Sequence, residues 1–266
     1  MATEKQVITT YNGKTIHFLP NSHQYRLLDN SEKGYTNLTS PSSVVGVLDK
    51  SQALLIWNDN LIKEAVVKIE EMVYSREDVI AKVEELLKVR TTKLDEAKDV
   101  GTFVHEYAEL TAYNLFNGSN YPDIPEDLPE QALLGINAFI NFCEEHKMKF
   151  IDVERFIYSK LGYAGKLDVI CEIDGVPTLA DFKTSKGVYT SQKYQLAGYD
   201  EAITEECEYL GKEVPYKQLA VIHLDKNTGV PALHILSDEE RADCREAFRS
   251  LLSVKLVEKK YNVWSK

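Results

Sequence analysis

Asp168, Asp181 and Lys183 are the residues of this chain best suited to chemistry. Asp168 closes the run Gly165-Lys166-Leu167-Asp168, Asp181 follows 13 positions later, and Lys183 lies two beyond it in Asp181-Phe182-Lys183. Ionised carboxylates are hard oxygen ligands of the kind Mg²⁺ and Mn²⁺ take. A lysine beside them adds a cation and a proton donor. These are the parts used by metal-assisted cleavage of a phosphodiester, in which the metal acidifies a bound water and stabilises charge on the phosphoryl oxygens.

The elements around these residues bring them together. Lys166–Ile173 (KLDVICEI) and Pro177–Thr184 (PTLADFKT) are strand-like, and Asp174-Gly175 between them is a strong hairpin signal. Side chains alternate along a strand, so Leu179, Asp181 and Lys183 share a face, with Asp181 and Lys183 roughly 7 Å apart along it. Asp168, on the partner strand, is placed to face them.

Further candidates lie outside the hairpin. His105 falls on an expected helix over Gly101–Phe116, with Glu109 one turn on and on the same face. Imidazole is a common metal ligand and a neighbouring carboxylate can orient it; a lone histidine also serves as a hydrogen-bonded core residue. Glu154 interrupts an expected strand over Phe150–Ser159. It reads either as a further carboxylate near Asp168 or as a salt-bridge partner of Arg155 or Lys166. Gln195 and Tyr199, four apart on an expected helix over Ser191–Thr204, read as a core-edge pair or as groups that hold the lysine or a phosphate. Ala197, Gly198 and Ala202 let that helix approach the sheet closely.

Taken together, G-x-L-D (165–168), D-F-K-T (181–184), Q-x-x-x-Y (195–199) and the upstream G-x-x-x-H-x-x-x-E (101–109) resemble the PD-(D/E)xK nuclease superfamily. The likeness is nearest to its RecB-like exonuclease branch, which includes phage and mitochondrial genome maintenance exonucleases. Ser42-Ser43-Val44-Val45 with Trp57 beyond it is similar to the opening segment of those members, although the usual threonine is missing. The likeness spans roughly residues 40–225.

The resemblance implies an α/β fold: a restriction-endonuclease-like core, with a mixed central sheet flanked by helices, and a helical N-terminal part. It implies a metal-dependent DNA exonuclease acting in recombination, repair or viral DNA metabolism. Asp168, Asp181, the Phe182 backbone carbonyl and His105 would bind Mg²⁺ or Mn²⁺, with Glu154 as a further ligand. Lys183 would orient or deprotonate water, or neutralise the phosphate, and Gln195 and Tyr199 would position it and the substrate. Ser42, Ser43, Trp57, Lys186, Lys193 and Tyr194 would contact DNA, with Tyr189 a further stacking candidate. A recombination or single-strand-binding protein is the implied protein partner. A structure-specific endonuclease of the same fold, and a catalytically inactive DNA- or protein-binding module, are the alternatives.

Composition agrees with an enzyme rather than a protein that coats nucleic acid. The 266 residues are 44% hydrophobic and 27% charged, with a net charge of −11. Yet from Arg155 to Lys193 six basic residues stand against four acidic ones, a locally positive window on an acidic chain. The four cysteines are spaced 28, 36 and 37 apart with no C-x-x-C pair, and the three C-terminal cysteines of iron–sulfur members of the branch are absent, so no cluster is expected. The polar N-terminus and the lack of a long apolar run argue for neither a secretory signal nor a membrane span. A bacterial or phage-infected cytoplasm is the expected setting, ahead of the mitochondrial matrix.

The organisation expected is an N-terminal β/loop segment over 1–50, a helical region carrying His105 over 51–148 and the α/β core over 149–266, packed as one unit. Strands are expected over Thr15–Leu19, Gln24–Leu28, Tyr216–Leu224 and Pro231–Leu236. Helices are expected over 52–98, over Glu130–Lys147, and from the capping box Ser237-Asp238-Glu239-Glu240 to Val257.

Overall fold

The structure, a computed structural model, describes residues 5–48, 56, 59, 60, 63, 84 and 99–261. The expected helix over 52–98 lies, apart from isolated helical positions, outside the described residues. The chain divides into a unit of residues 1–47 with 104–266 and a second unit of residues 48–103. The N-terminal strands and His105 therefore belong to the same unit as residues 149–266.

The larger unit is built on a mixed five-stranded sheet. Its strands are β5 (Lys149–Val153), β8 (Val169–Ile173), β9 (Val176–Lys183), β10 (Gln218–Leu224) and β11 (Pro231–Ile235), in the order β11-β10-β9-β8-β5. Only β9 and β10 run parallel; the other neighbours are antiparallel. A parallel pair needs a long crossover, supplied here by the helix Thr190–Leu210. The hairpin β8–β9 turns at Asp174 and Gly175, both at positive φ (51° and 79°), as a tight two-residue turn requires.

Helices cover both faces of this sheet. The helical residues are α1 (Pro41–Val45), α2 (residues 99–116), α3 (Glu130–Glu145), α4 (Thr190–Leu210) and α5 (Asp238–Tyr261). On one face Ile170, Leu179, Leu219 and Val221 pack with Leu196 and Ile203 of α4, Phe248 and Leu252 of α5, and Val44 and Val45 of α1. On the other, Val169, Cys171, Ala180, Phe182 and Ile222 pack with Val104 and Ala108 of α2 and Phe139 and Phe142 of α3. Alternation along β8 and β9 explains the split: even positions of β8 and odd positions of β9 face α4, and their neighbours face α2 and α3. The β9 strand, buried on both faces, is almost continuously inaccessible from Thr178 to Phe182.

Gly198 sits where α4 meets α5. A Cβ there would lie 2.5 Å from the Phe248 ring, so the glycine permits helix-on-helix contact rather than the approach to the sheet that the sequence suggests. The α4–α5 contact also carries a buried charge. Asp200, 0% exposed, accepts from Arg241 (2.6 and 2.9 Å), Arg245 (2.6 Å) and the Tyr216 hydroxyl (2.8 Å). The expected capping box forms as read: Glu240 N–H donates to Ser237 Oγ and Ser237 N–H to Glu240 Oε2, both at 3.1 Å.

The N-terminal strands β1 (Gln6–Thr9), β2 (Thr15–Leu19), β3 (Gln24–Leu28) and β4 (Tyr35–Leu38) form an antiparallel meander. It packs through Ile16, Phe18 and Tyr25 on Tyr158 and Ala164 of the hairpin β6 (Phe156–Ser159) and β7 (Tyr163–Lys166). The single strand expected over Phe150–Ser159 is thus two strands in two sheets. The break falls at Glu154, whose backbone is left-handed (φ 54°), with no glycine to announce it. The strand expected from Lys166 likewise breaks at Leu167-Asp168, so β7 and β8 belong to different sheets. The final helix runs to Tyr261, four residues beyond the expected end, and α4 runs to Leu210. No helix among the described residues is long and apolar enough to cross a membrane.

Candidate functional site

Asp168 precedes β8 by one residue. Continuing the β8–β9 register, in which Val169 pairs with Ala180, sets Asp168 opposite Asp181. Both side chains lie on the α4 face. Asp168 Oδ2 accepts the Phe182 N–H at 2.9 Å, which fixes the carboxylate beside β9. A strand residue directs its N–H and C=O to the same side. The Phe182 carbonyl therefore leans toward Asp168 as well. The loop before Asp168 is held in turn: Glu154 N–H donates to the Asp168 carbonyl at 2.9 Å, and Leu167 N–H to the Arg155 carbonyl at 3.0 Å.

Asp181 is 1% exposed, and its Oδ1 is buried without a hydrogen-bond partner. Its charge partner is Lys183, whose ammonium forms an ion pair with Oδ2. A buried carboxylate left this poorly solvated is costly. Burial raises the Asp181 pKa from 3.8 to about 6, with Asp168 adding to the rise and Lys183 opposing it. Burial also raises that of Asp168, against Lys183 and the Phe182 N–H. For Lys183 burial works against the charge, but Asp181 and Asp168 outweigh it and hold the ammonium above its usual range.

His105 on α2 reaches the same charges. Burial, assisted by Lys183, lowers its pKa to about 4, with Asp181 opposing. The imidazole is neutral at ordinary pH, the form that ligates metals. Glu109, one turn on, is raised by burial and by Asp168, with Lys166 opposing. Asp168 and Lys166 thus act on it electrostatically; the spacing of the helix pointed to it, but it was read only as a neighbour of His105.

Gln195 and Tyr199 on α4 complete this face. Gln195 Nε2 donates to the Tyr199 hydroxyl at 3.0 Å. Burial, with Asp181 and Asp168 beyond it, holds the Tyr199 phenol well above its ordinary pKa, so it keeps its proton. Gly165 is required here: a Cβ would lie 2.8 Å from Pro41 Cδ and 3.3 Å from Tyr199 Cε1.

The remaining candidates are dispersed. The Glu154 carboxylate forms an ion pair with Lys166, the salt-bridge alternative. Lys193 pairs with Glu240 at 2.7 Å, and Tyr194 packs against the α4-side core. Ser42 and Ser43 are exposed on α1 and hydrogen-bond to Ser40 at 3.0 and 2.9 Å. Lys186 is exposed in the turn after β9. Trp57 lies outside the described residues.

Among the described residues, no three histidine, cysteine or carboxylate side chains are gathered into a ready cation cage. The donor chemistry nonetheless fits a hard divalent ion. Two carboxylates are set opposite each other, Asp181 Oδ1 is buried without a hydrogen-bond partner, and the field of Asp181 and Lys183 is felt by the buried His105 imidazole. Searches of protein-family models and of curated protein sequences find no match to this chain.

Proposed function

We propose that this protein is a metal-dependent DNA exonuclease with a PD-(D/E)xK-type core. The observation that carries the reading is the placement of Asp168 opposite Asp181 at the end of the β8–β9 ladder, with the ammonium of Lys183 paired to Asp181 Oδ2 and Asp181 Oδ1 buried without a hydrogen-bond partner. A structural ion pair would be expected to have its remaining lone pairs satisfied. Those of Asp181 Oδ1 are not.

Asp168, Asp181, the Phe182 carbonyl and His105 would hold Mg²⁺ or Mn²⁺, which supplies an acidified water and neutralises charge on the phosphoryl group. Glu154, paired with Lys166, is left outside that set. Lys183 is read as an ammonium: Asp181 and Asp168 outweigh burial and hold its pKa above the usual range, which suits it to donate to a phosphate oxygen or to the departing oxygen. The Tyr199 hydroxyl, receiving a hydrogen bond from Gln195, keeps its own proton to donate toward the carboxylates or the phosphate. His105, uncharged, adds no positive charge to compete with a cation. The preference for DNA over RNA, and for ends over internal bonds, rests on the motif likeness.

The test is incubation of linear single-stranded and duplex DNA with Mg²⁺ or Mn²⁺. The reading expects metal-dependent release of nucleotides by the native protein and none by Asp181→Asn. Binding of DNA without cleavage under either metal would favour a binding module.

A further inference from the structure

His223 on β10 has no part in the roles given above, yet it stands beside them. In the parallel β9–β10 register Val221 pairs with Asp181 and His223 with Lys183. Partners in register project from the same face. The imidazole is therefore one strand away from Lys183, on the face of both carboxylates, and the residue is only 9% exposed.

Its Nε2 lies 2.6 Å from the carbonyl of Ser185. A carbonyl only accepts, so Nε2 carries the proton and donates. Ser185 opens the turn that leaves β9. Its Oγ donates to the Gly187 carbonyl at 2.7 Å and accepts from Gln192 Nε2 at 2.9 Å. Gln192 Oε1 in turn accepts the Tyr189 N–H at 2.9 Å. The turn is thus tethered at one end to β10 through His223 and at the other to the first turn of α4 through Gln192. Between the tethers it exposes Lys186 and Tyr189, the latter 52% exposed. A cation and an aromatic ring together suit a phosphate and a base face. They stand at the carboxyl end of β9, where ligands of open α/β sheets bind.

We infer that His223 is a positioning residue: its Nε2–H clamps the Ser185 carbonyl and so holds Lys186 and Tyr189 ready for a nucleic-acid strand entering beside Lys183. The inference rests on the nuclease reading for what the turn grips, and on geometry alone for the clamp. A turn ordered in advance binds without the entropic cost of ordering it. Loss of the clamp then weakens binding and leaves the chemical step in place, so KM rises while kcat holds.

The experiment compares native protein, His223→Leu and His223→Gln by amide hydrogen exchange and by steady-state cleavage of an end-labelled single-stranded oligonucleotide with Mn²⁺. The leucine variant is expected to speed exchange at the amides of Lys186, Gly187 and Val188 and to raise KM, each by about tenfold, with kcat within about twofold. Glutamine, which keeps a donor near the Nε2 position, is expected to restore both. Unchanged exchange in the leucine variant, or a glutamine variant as impaired as leucine, overturns the clamp. A fall in kcat at constant KM overturns its role in substrate grip. Absence of cleavage by the native protein overturns the nuclease reading instead, and the exchange data then judge the clamp alone.

Discussion

Asp168 is tied to the immediate neighbour of Asp181: its Oδ2 accepts the Phe182 N–H at 2.9 Å. One carboxylate is thereby fixed by backbone, while the other, opposite it, is held at Oδ2 by Lys183 and has no partner at Oδ1. Different environments for two carboxylates suit different tasks.

That asymmetry sets a pH dependence. The Asp181 pKa rises from 3.8 in the unfolded chain to about 6 in the fold, so near pH 5 the folded protein holds a proton the unfolded chain has released. Its contribution to stability is present at low pH and lost as pH rises through about 6. A cation must displace the same proton, so Mn²⁺ affinity is expected to be flat above pH 7 and to fall by up to about tenfold per unit below pH 6. Calorimetric titration at pH 5, 6 and 7.5 checks this; equal affinity at all three contradicts it.

Glu154 and Asp181 are separable. Because the Glu154 carboxylate is engaged by Lys166, Glu154→Gln is expected to change Mn²⁺ affinity by less than about threefold, whereas Asp181→Asn removes a ligand and costs at least about tenfold. The same titration at pH 7.5 reads both.

Gly165→Ala is expected to destabilise the protein by about 1–3 kcal/mol, because its Cβ must push Pro41 or Tyr199 aside. Gly187→Ala meets nothing within 4 Å and is expected to lie within about 0.5 kcal/mol of the native protein. Urea denaturation of the pair distinguishes crowding from a general intolerance of alanine.

Asp200→Ala leaves Arg241 and Arg245 without their buried partner and is expected to cost about 3–5 kcal/mol. Burial opposes the Asp200 charge, but the hydrogen bonds from Arg241 and Arg245 prevail and hold its pKa below 3.8. Its stabilisation is therefore present above that value and lost as pH falls through the folded pKa, so the difference between variant and native protein narrows only in acid. Denaturation at pH 7 and pH 3 measures it.

Much of this architecture was legible because its signals are local. The strands Thr15–Leu19 and Gln24–Leu28, the Asp174-Gly175 turn, the Ser237–Glu240 capping box and the shared face of Asp181 and Lys183 each follow from neighbours within a few residues. The break at Glu154 was hidden because a non-glycine residue adopts the left-handed backbone there, supported by the distant Asp168 carbonyl. The Asp200 clasp was hidden because its arginines lie 41 and 45 positions away. Lys193, expected to contact DNA, also pairs with Glu240 of α5, which no local pattern in α4 reveals.

The central claim is that Asp168, Asp181 and Lys183 cleave DNA from an end. The most direct measurement is digestion of 5′- and 3′-labelled linear DNA and of circular DNA with Mg²⁺ or Mn²⁺, comparing native protein with Lys183→Ala. The account predicts metal-dependent loss of linear but not circular substrate, reduced at least about a hundredfold in the variant. Nicking of circles would contradict action from an end, and cleavage undiminished by Lys183→Ala would contradict the site itself.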